Sequence, residues 1–441
     1  MQLTIHRGTQ EIGGSCVEVS TDTTRIIIDV GLPLVDQDRE PFDRAVMKGK
    51  SLDQLVEAKV VPNVPGLFTN GDSRPKAILL SHAHLDHVGL LEHTPDDIPV
   101  YATSGTSKMM LAGGVFAGQK SLDRDRHFEI RSRTPFVVGD IKITPYAVDH
   151  SCFGAVAFLV EADGRKLLYS GDLRWHGRKP GMIKSLVEEV GPMKIDALVM
   201  EGTHFGSKRP PRKTEYQLEE DILEQIISAP GLVLASFSPI DVDRLVTYLK
   251  ASMRSGRTFV ADAYTAFVMH LVHKEIGLPD SKSTDCMKVY FNLHFERRSV
   301  QKLKNMFADN QIALADIVAN PTRHVLCFRP SNLRLDFKDQ LPDRARVLYS
   351  YWQGYLEKSD WVSVQQRIKK VRGDFRSCHT SGHIYLEDIE AFVKSIAPKV
   401  IIPVHTFEAS LFTNHIQKSF ELDDGFAVNV AEIVMRVEQT N

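Results

Sequence analysis

The sequence predicts an α/β fold in which one domain is interrupted by a second, inserted α/β domain. Three observations predict it. Short β-branched and apolar runs separated by turns fill the first third. Strand-like and helix-like segments alternate after Leu232, and strand–loop–helix–strand character returns from Phe375. In the first part, residues 25–29 (RIIID), 76–80 (KAILL), 98–101 and 140–145 have strand length and composition. Residues 155–161 and 165–170 flank Asp163-Gly164, a dipeptide suited to a hairpin turn. Helical periodicity at 214–227 and 241–253 interleaves with strand-like 232–235 and 258–261, and a helix follows Tyr264. That alternation is the pattern of a parallel α/β unit. The basic, Pro-containing stretch from Ser207 to Lys213 suits a boundary, giving segments 1–207, 208–372 and 373–441. Residues 427–437 read as a closing strand.

Composition narrows the class. Of 441 residues, 43% are hydrophobic and 25% charged, ordinary for a chain that buries a core and unlike disordered, collagenous or coiled-coil chains. Lys+Arg 54 against Asp+Glu 56 leaves −2, so any surface for a polyanion must be a local patch. The five cysteines form no CxxC pair, which fits reduced thiols in a cytoplasmic protein. The N-terminus lacks a basic then apolar leader, and no apolar run approaches the ~18 residues of a span. A cytoplasmic enzyme with no membrane partner is expected.

The strongest signal is LLSHAHLDHVGLL, residues 79–91, where His82, His84, Asp86 and His87 follow a strand and precede a helix. Three imidazoles and a carboxylate in six residues make an N/O donor set suited to zinc. A polar surface loop is the bland alternative, but such a dense set is costly to leave idle. Downstream, His150 follows strand-like 141–148, Asp172 follows 165–170, and His405 ends KVIIPVHT. Singly each would be an ordinary strand-end polar residue; that together they complete a two-metal centre is what the resemblance named next implies.

This spacing resembles the metallo-β-lactamase superfamily. Glu201 at the end of strand-like 197–200, His383 in HTSGH and His405 match motifs A, B and C of its β-CASP nucleases. GTQEIGGSC (8–16), the VDHS context of His150 and HxSGH lean toward ribonuclease J. The resemblance implies a metallo-β-lactamase αββα sandwich with an inserted β-CASP domain. It further implies one zinc on His82, His84 and His150, a second on Asp86, His87 and His405, and Asp172 shared between them. Manganese is an acceptable substitute. A hydroxide bridging two such ions would attack phosphorus in line. Asp86, His383 and Glu201 are the catalytic candidates, with His383 serving the leaving oxygen and Glu201 orienting a histidine. In the family, residues matching His379, Ser381 and Gly382 hold a 5′-terminal phosphate, here just ahead of a helix beginning near Ile384. The implied activity is 5′→3′ exonuclease action on single-stranded RNA or DNA, with or without internal cleavage.

Three departures stand out. The chain ends at Asn441 without the family's C-terminal domain, so oligomerisation through that domain is not expected. Thr406 replaces a common glycine, and 327–332 (CFRPSN) does not match the expected half of the phosphate pocket. Lys208, Arg209, Arg212 and Lys213 form one basic run, and Arg367, Lys369, Lys370, Arg372 and Arg376 another. Both are candidates for phosphate contact, against the commoner reading of solvated faces. Arg297, Arg298, Lys302 and Lys304 read as surface, and YSYWQGY (349–355) as an aromatic strand of the insert's core rather than a base-stacking platform. The competing function is hydrolysis of a small ester, thioester or lactam, against which the long insert argues. A metal-poor scaffold is disfavoured because every ligand position is filled.

Overall fold

The computed structural model describes residues 1–71, 73–206, 212–292 and 298–440. It divides into two compact units, one of residues 1–175, 179–210 and 382–441, the other of 176–178 and 211–381.

The first unit contains two sheets. The seven-stranded sheet runs in the order Ala427–Asn429, Gln2–Arg7, Cys16–Ser20, Arg25–Ile28, Ala77–Leu79, Val100–Thr103, His127–Ile130. The six-stranded sheet runs Val400–Val404, Ala197–Glu201, Arg165–Tyr169, Val156–Ala162, Ile141–Ala147, Phe136–Val138. Side-chain alternation explains why both faces of the second sheet are buried. Phe158, Val160, Leu167, Tyr169, Val199 and Ile402 join Leu3, Ile5, Val17 and Ile26 of the first sheet in one inter-sheet core. Their neighbours Leu159, Leu168, Leu198, Met200 and Ile401 pack the other way, onto the helices Pro180–Val190 and Leu386–Ile396. The Asp163-Gly164 hairpin forms as its dipeptide predicts: both residues have positive φ (52° and 68°), as a type I′ turn requires.

Residues 427–437 are not a strand. Only Ala427–Asn429 is extended, and Val430–Thr440 is a helix. Its β-branched composition suggests a strand, but Val430, Ile433, Val434 and Val437 recur at helical spacing and all enter the inter-sheet core.

The second unit holds a six-stranded sheet, Met287–Tyr290, Thr258–Asp262, His324–Cys327, Val233–Ser236, Arg346–Tyr349, Asp374–Ser377, every neighbouring pair parallel. Thr214 and Asp241 cap the helices Glu215–Ser228 and Val242–Arg254, the side-chain oxygens accepting from Gln217 and Arg244 amides. Between these helices, Arg244 Nε lies 2.8 Å from Glu215 Oε1 in a fully buried ion pair. Asp374–Ser377 pairs with Arg346–Tyr349, so this segment, expected to open the return part at 373, stays with the second unit through Ser381. A short polar strand carries no mark of the sheet it joins. The other boundary, expected at 207, falls among residues 207–211, outside the described residues. No helix among the described residues is long and apolar enough to cross a membrane.

Candidate metal centre

The polar cluster lies where strands of the first unit end. Strands Arg25–Ile28, Ala77–Leu79, Ile141–Ala147, Arg165–Tyr169, Ala197–Glu201 and Val400–Val404 lead into or end on Asp29, His82, His150, Asp172, Glu201 and His405. After Leu79 the chain turns directly into the short helix Leu85–Val88, with His84 at its N-cap. This turn packs tightly: a Cβ on Gly31 would stand 1.8 Å from the Asp86 carbonyl oxygen.

Two groups of donor atoms share Asp172. In one, His82 Nε2 and His150 Nε2 each lie 3.1 Å from His84 Nδ1, with Asp172 Oδ2 at 3.7 Å from His82 and 3.9 Å from His150. In the other, His405 Nε2 is 3.1 Å from Asp86 Oδ2, and His87 Nε2 is 3.2 Å from Asp172 Oδ2 and 3.8 Å from Asp86 Oδ2. The donor atoms within each group lie within 4.8 Å of one another. Beside them His383 Nδ1 is 3.0 Å from Glu201 Oε2 and 3.7 Å from Asp172 Oδ2.

Hydrogen bonds on the far side of each ring set where its proton sits. His150 Nδ1 donates to the Gly382 carbonyl at 2.6 Å, and His87 Nδ1 donates to Asp29 Oδ2 at 2.8 Å. The Ser81 hydroxyl donates to Asp29 Oδ2 (2.7 Å), so its oxygen accepts from His82 Nδ1 (3.1 Å). The Thr203 hydroxyl donates to Glu201 Oε2 (2.7 Å) and likewise accepts from His405 Nδ1 (2.9 Å). Four Nε2 lone pairs therefore face inward. His87 Nε2 and Asp172 Oδ2 are buried with no hydrogen-bond partner among the described residues. Acceptors facing acceptors in a buried space are repulsive unless a cation lies between them, so the donor set fits divalent metal.

Charge states agree with that fit except at His87, where burial is outweighed by Asp172, Asp29 and Asp86, which raise it well above the ordinary imidazole value, so a cation must displace its second proton. Burial and like neighbours push His82 and His150 well below the ordinary imidazole value, and burial takes His84 to about 4. Burial would raise Asp86 and Asp172, but the facing histidines outweigh it and hold both carboxyls down. For His383 burial is outweighed by Glu201 and Asp172, which raise it to about 9.

All seven expected ligands, with Glu201 and His383, are thus brought together. Glu201 is buried, not an exposed strand end, and its Oε1 accepts the Leu173 amide at 2.9 Å. The phosphate-binding candidates divide. Gly382 adjoins His150, and a Cβ there would meet Ser151 Oγ at 2.3 Å. His379 and Ser381 belong to the second unit, where the Ser381 carbonyl accepts from His176 Nε2 at 2.9 Å. The following helix begins at Leu386 after the N-cap Tyr385, close to the expected start, and carries Glu387 and Asp388 in its first turn.

Two positioning residues escaped the sequence reading. Asp29, at φ 63°, accepts from the Ser81 amide and hydroxyl, His87 and the Tyr169 hydroxyl at 2.7–2.8 Å. Its signal was available, since it ends an apolar strand as Asp172 and His405 do. Thr203 had no comparable signal. Part of the basic runs is matched by acids: Lys213 pairs with Asp221, Arg372 with Asp343 (2.8 Å), and Arg376 with Asp374 (3.4 Å). Lys208, Arg209 and Arg297 lie outside the described residues, as does the side chain of Arg298. Of the aromatic run, Tyr349 enters the second unit's core while Trp352 is 63% exposed.

Residues 51–240 match the family described as beta-lactamase superfamily domain. The chain is 26% identical, over 60% of its length, to an RNase J-like protein of Methanocaldococcus jannaschii, of which it spans 58%, less than two thirds. It is 22% identical to a Ribonuclease J of the same organism, with 90% of this chain and 89% of that protein covered. A crystal structure of a protein of unknown function from Enterococcus faecalis V583 shares the fold at a TM-score of 0.79 and 20% identity, covering 97% of this chain and 99% of that one.

Proposed function

Since the chain belongs to the metallo-β-lactamase superfamily, in its ribonuclease J-like β-CASP branch, we propose that it is a metal-dependent nuclease that hydrolyses phosphodiester bonds of single-stranded RNA in the cytoplasm. The observation that carries the reading is the buried cluster in which Asp172 stands between two histidine groups, with the His383–Glu201 pair beside it. His82, His84 and His150 would hold one divalent ion and Asp86, His87 and His405 the other, with Asp172 common to both; zinc suits this N/O set and manganese is tolerated. Two such ions supply Lewis acidity toward a phosphoryl oxygen and make water nucleophilic at neutral pH.

The chain's own groups do the rest. Asp29, Ser81, Gly382 and Thr203 hold the ring protons outward, so the inward nitrogens stay free. Glu201 fixes the His383 ring through Nδ1 and keeps it cationic, so its other nitrogen carries a proton for the leaving oxygen. Release of mononucleotides in the 5′→3′ direction from a 5′-monophosphate end, involving His379, Ser381 and Gly382, is the proposed mode. The test uses zinc-loaded protein with end-labelled RNA and DNA, single- and double-stranded, in each 5′-end state. Mononucleotides released fastest from 5′-monophosphorylated single-stranded RNA are expected. Equal rates on circular or 5′-blocked strands would refute the exonuclease mode, and no cleavage of any nucleic acid would refute the nuclease reading.

A further inference from the structure

Among the described residues, one group of metal-type donors lies apart from Asp172: His270, His273 and Asp280 in the second unit. The two histidines sit three residues apart in the last two turns of the helix Ala263–Ile276, and Asp280 follows the left-handed cap Gly277. Spacing of i and i+3 puts both rings on one helix face, where they stack at 5.5 Å.

The backbone has already chosen which nitrogen is available. His273 Nδ1 donates to the His270 carbonyl at 2.6 Å, so its Nε2 is a lone pair, and it stands 3.8 Å from Asp280 Oδ2. That gap is too long for a hydrogen bond. His270 Nδ1 lies 3.1 Å from Asp280 Oδ1. Donors bound at ~2.0–2.1 Å around a tetrahedral ion lie about 3.3 Å apart, and the two observed separations bracket that spacing. The carboxylate is held ready, since the Lys282 amide donates to Asp280 Oδ1 at 3.1 Å. All three side chains are half-buried, sheltered yet reachable by an ion from solvent. A cation here also lies at the C-terminal, negative end of the helix dipole.

The geometry points to a further transition-metal site, for zinc or a similar divalent ion, held by His270 Nδ1, His273 Nε2 and Asp280, with solvent completing the coordination. It performs no chemistry on nucleic acid. It clamps the end of the helix to the 277–284 loop that leads to the edge strand Met287–Tyr290. That loop already leans on the helix through Ser281 Oγ, which donates to the Ala266 carbonyl at 2.9 Å, and on Asn310, whose amide donates to the Ser281 and Thr284 carbonyls at 3.0 Å. Binding to the folded state alone would stabilise it by mass action.

The test compares zinc content of the full-length wild type with His273→Ala and Asp280→Asn after equilibration in micromolar zinc. The wild type should hold one more ion per chain than either variant, while hydrolytic turnover is unchanged. Amide exchange across 277–284 should slow on adding zinc to the wild type and not to the variants. Should His273→Ala fold poorly, Asp280→Asn keeps the volume and an oxygen for the Lys282 amide and reads out the same loss. Equal zinc content in all three proteins, with no zinc-dependent protection of the loop, would overturn the inference and leave a histidine–aspartate ion pair.

Discussion

Asp29→Asn isolates the part of the metal centre that touches no metal. Asp29 Oδ1 accepts the Ser81 amide, and Oδ2 accepts from the Ser81 hydroxyl, His87 Nδ1 and the Tyr169 hydroxyl. Asparagine matches the size and tolerates the φ of 63°, so the backbone has no reason to move. Its oxygen must stay toward the Ser81 amide, because the reverse flip would set donor against donor. The amide nitrogen then faces His87 Nδ1, which can no longer donate there. The ring answers by moving its proton to Nε2, the atom 3.2 Å from Asp172 Oδ2, and the lone pair is lost from the cluster. Losing a partner of this kind typically weakens metal binding about 10- to 100-fold, or about 1.4–2.8 kcal/mol. Chelator competition should show that loss for one ion of the two, with activity falling alongside. A melting curve run in parallel verifies that the variant is folded. Wild-type affinity for both ions in folded Asp29→Asn would refute the tautomer argument.

Three further outcomes follow from the same geometry. Asp172→Ala should lose metal and activity together, whereas His383→Ala should keep its metal and lose turnover by about 10²- to 10⁴-fold; near-normal turnover would remove His383 from leaving-group chemistry. Glu215→Ala strands the buried Arg244 charge and should cost about 3–5 kcal/mol, seen as a thermal midpoint lowered on the order of 10 °C. An apolar pair at both positions should recover most of that loss. Burial would raise Glu18, but hydrogen bonds from His6 and Arg25 outweigh it and bring it to about 2 from 4.5. Its ionised form is therefore favoured by folding, worth at most about 3 kcal/mol above pH 4.5 and lost as pH falls toward 2. Glu18→Gln should flatten stability against pH in that window, as read by urea unfolding.

The dense part of the first unit's donor set was legible from residues alone because its spacing is covalent, and the family resemblance implied the rest. His82, His84, Asp86 and His87 share one strand–turn–helix, and His150, Asp172, Glu201 and His405 each follow an apolar run of strand length. Parallel strands present their ends on one side, so a strand-end residue can be placed without knowing its neighbours. The Asp163-Gly164 turn was equally readable, since the dipeptide sets its own backbone angles. Other features depend on register and packing between distant segments, which local sequence does not encode. Gly382 meets His150 across 232 residues, and Thr203 joins Glu201 to His405 across 202. Val430–Thr440 became a helix because its periodicity meets an apolar core, although its composition favours a strand. Asp374–Ser377 joined the second unit's sheet because Arg346–Tyr349 offered an open edge. Arg372 pairs with Asp343, 29 residues away, a partner that only the folded chain brings to 2.8 Å. Chemistry set by adjacent residues survives in the sequence; chemistry set by who ends up beside whom exists only after the chain has packed.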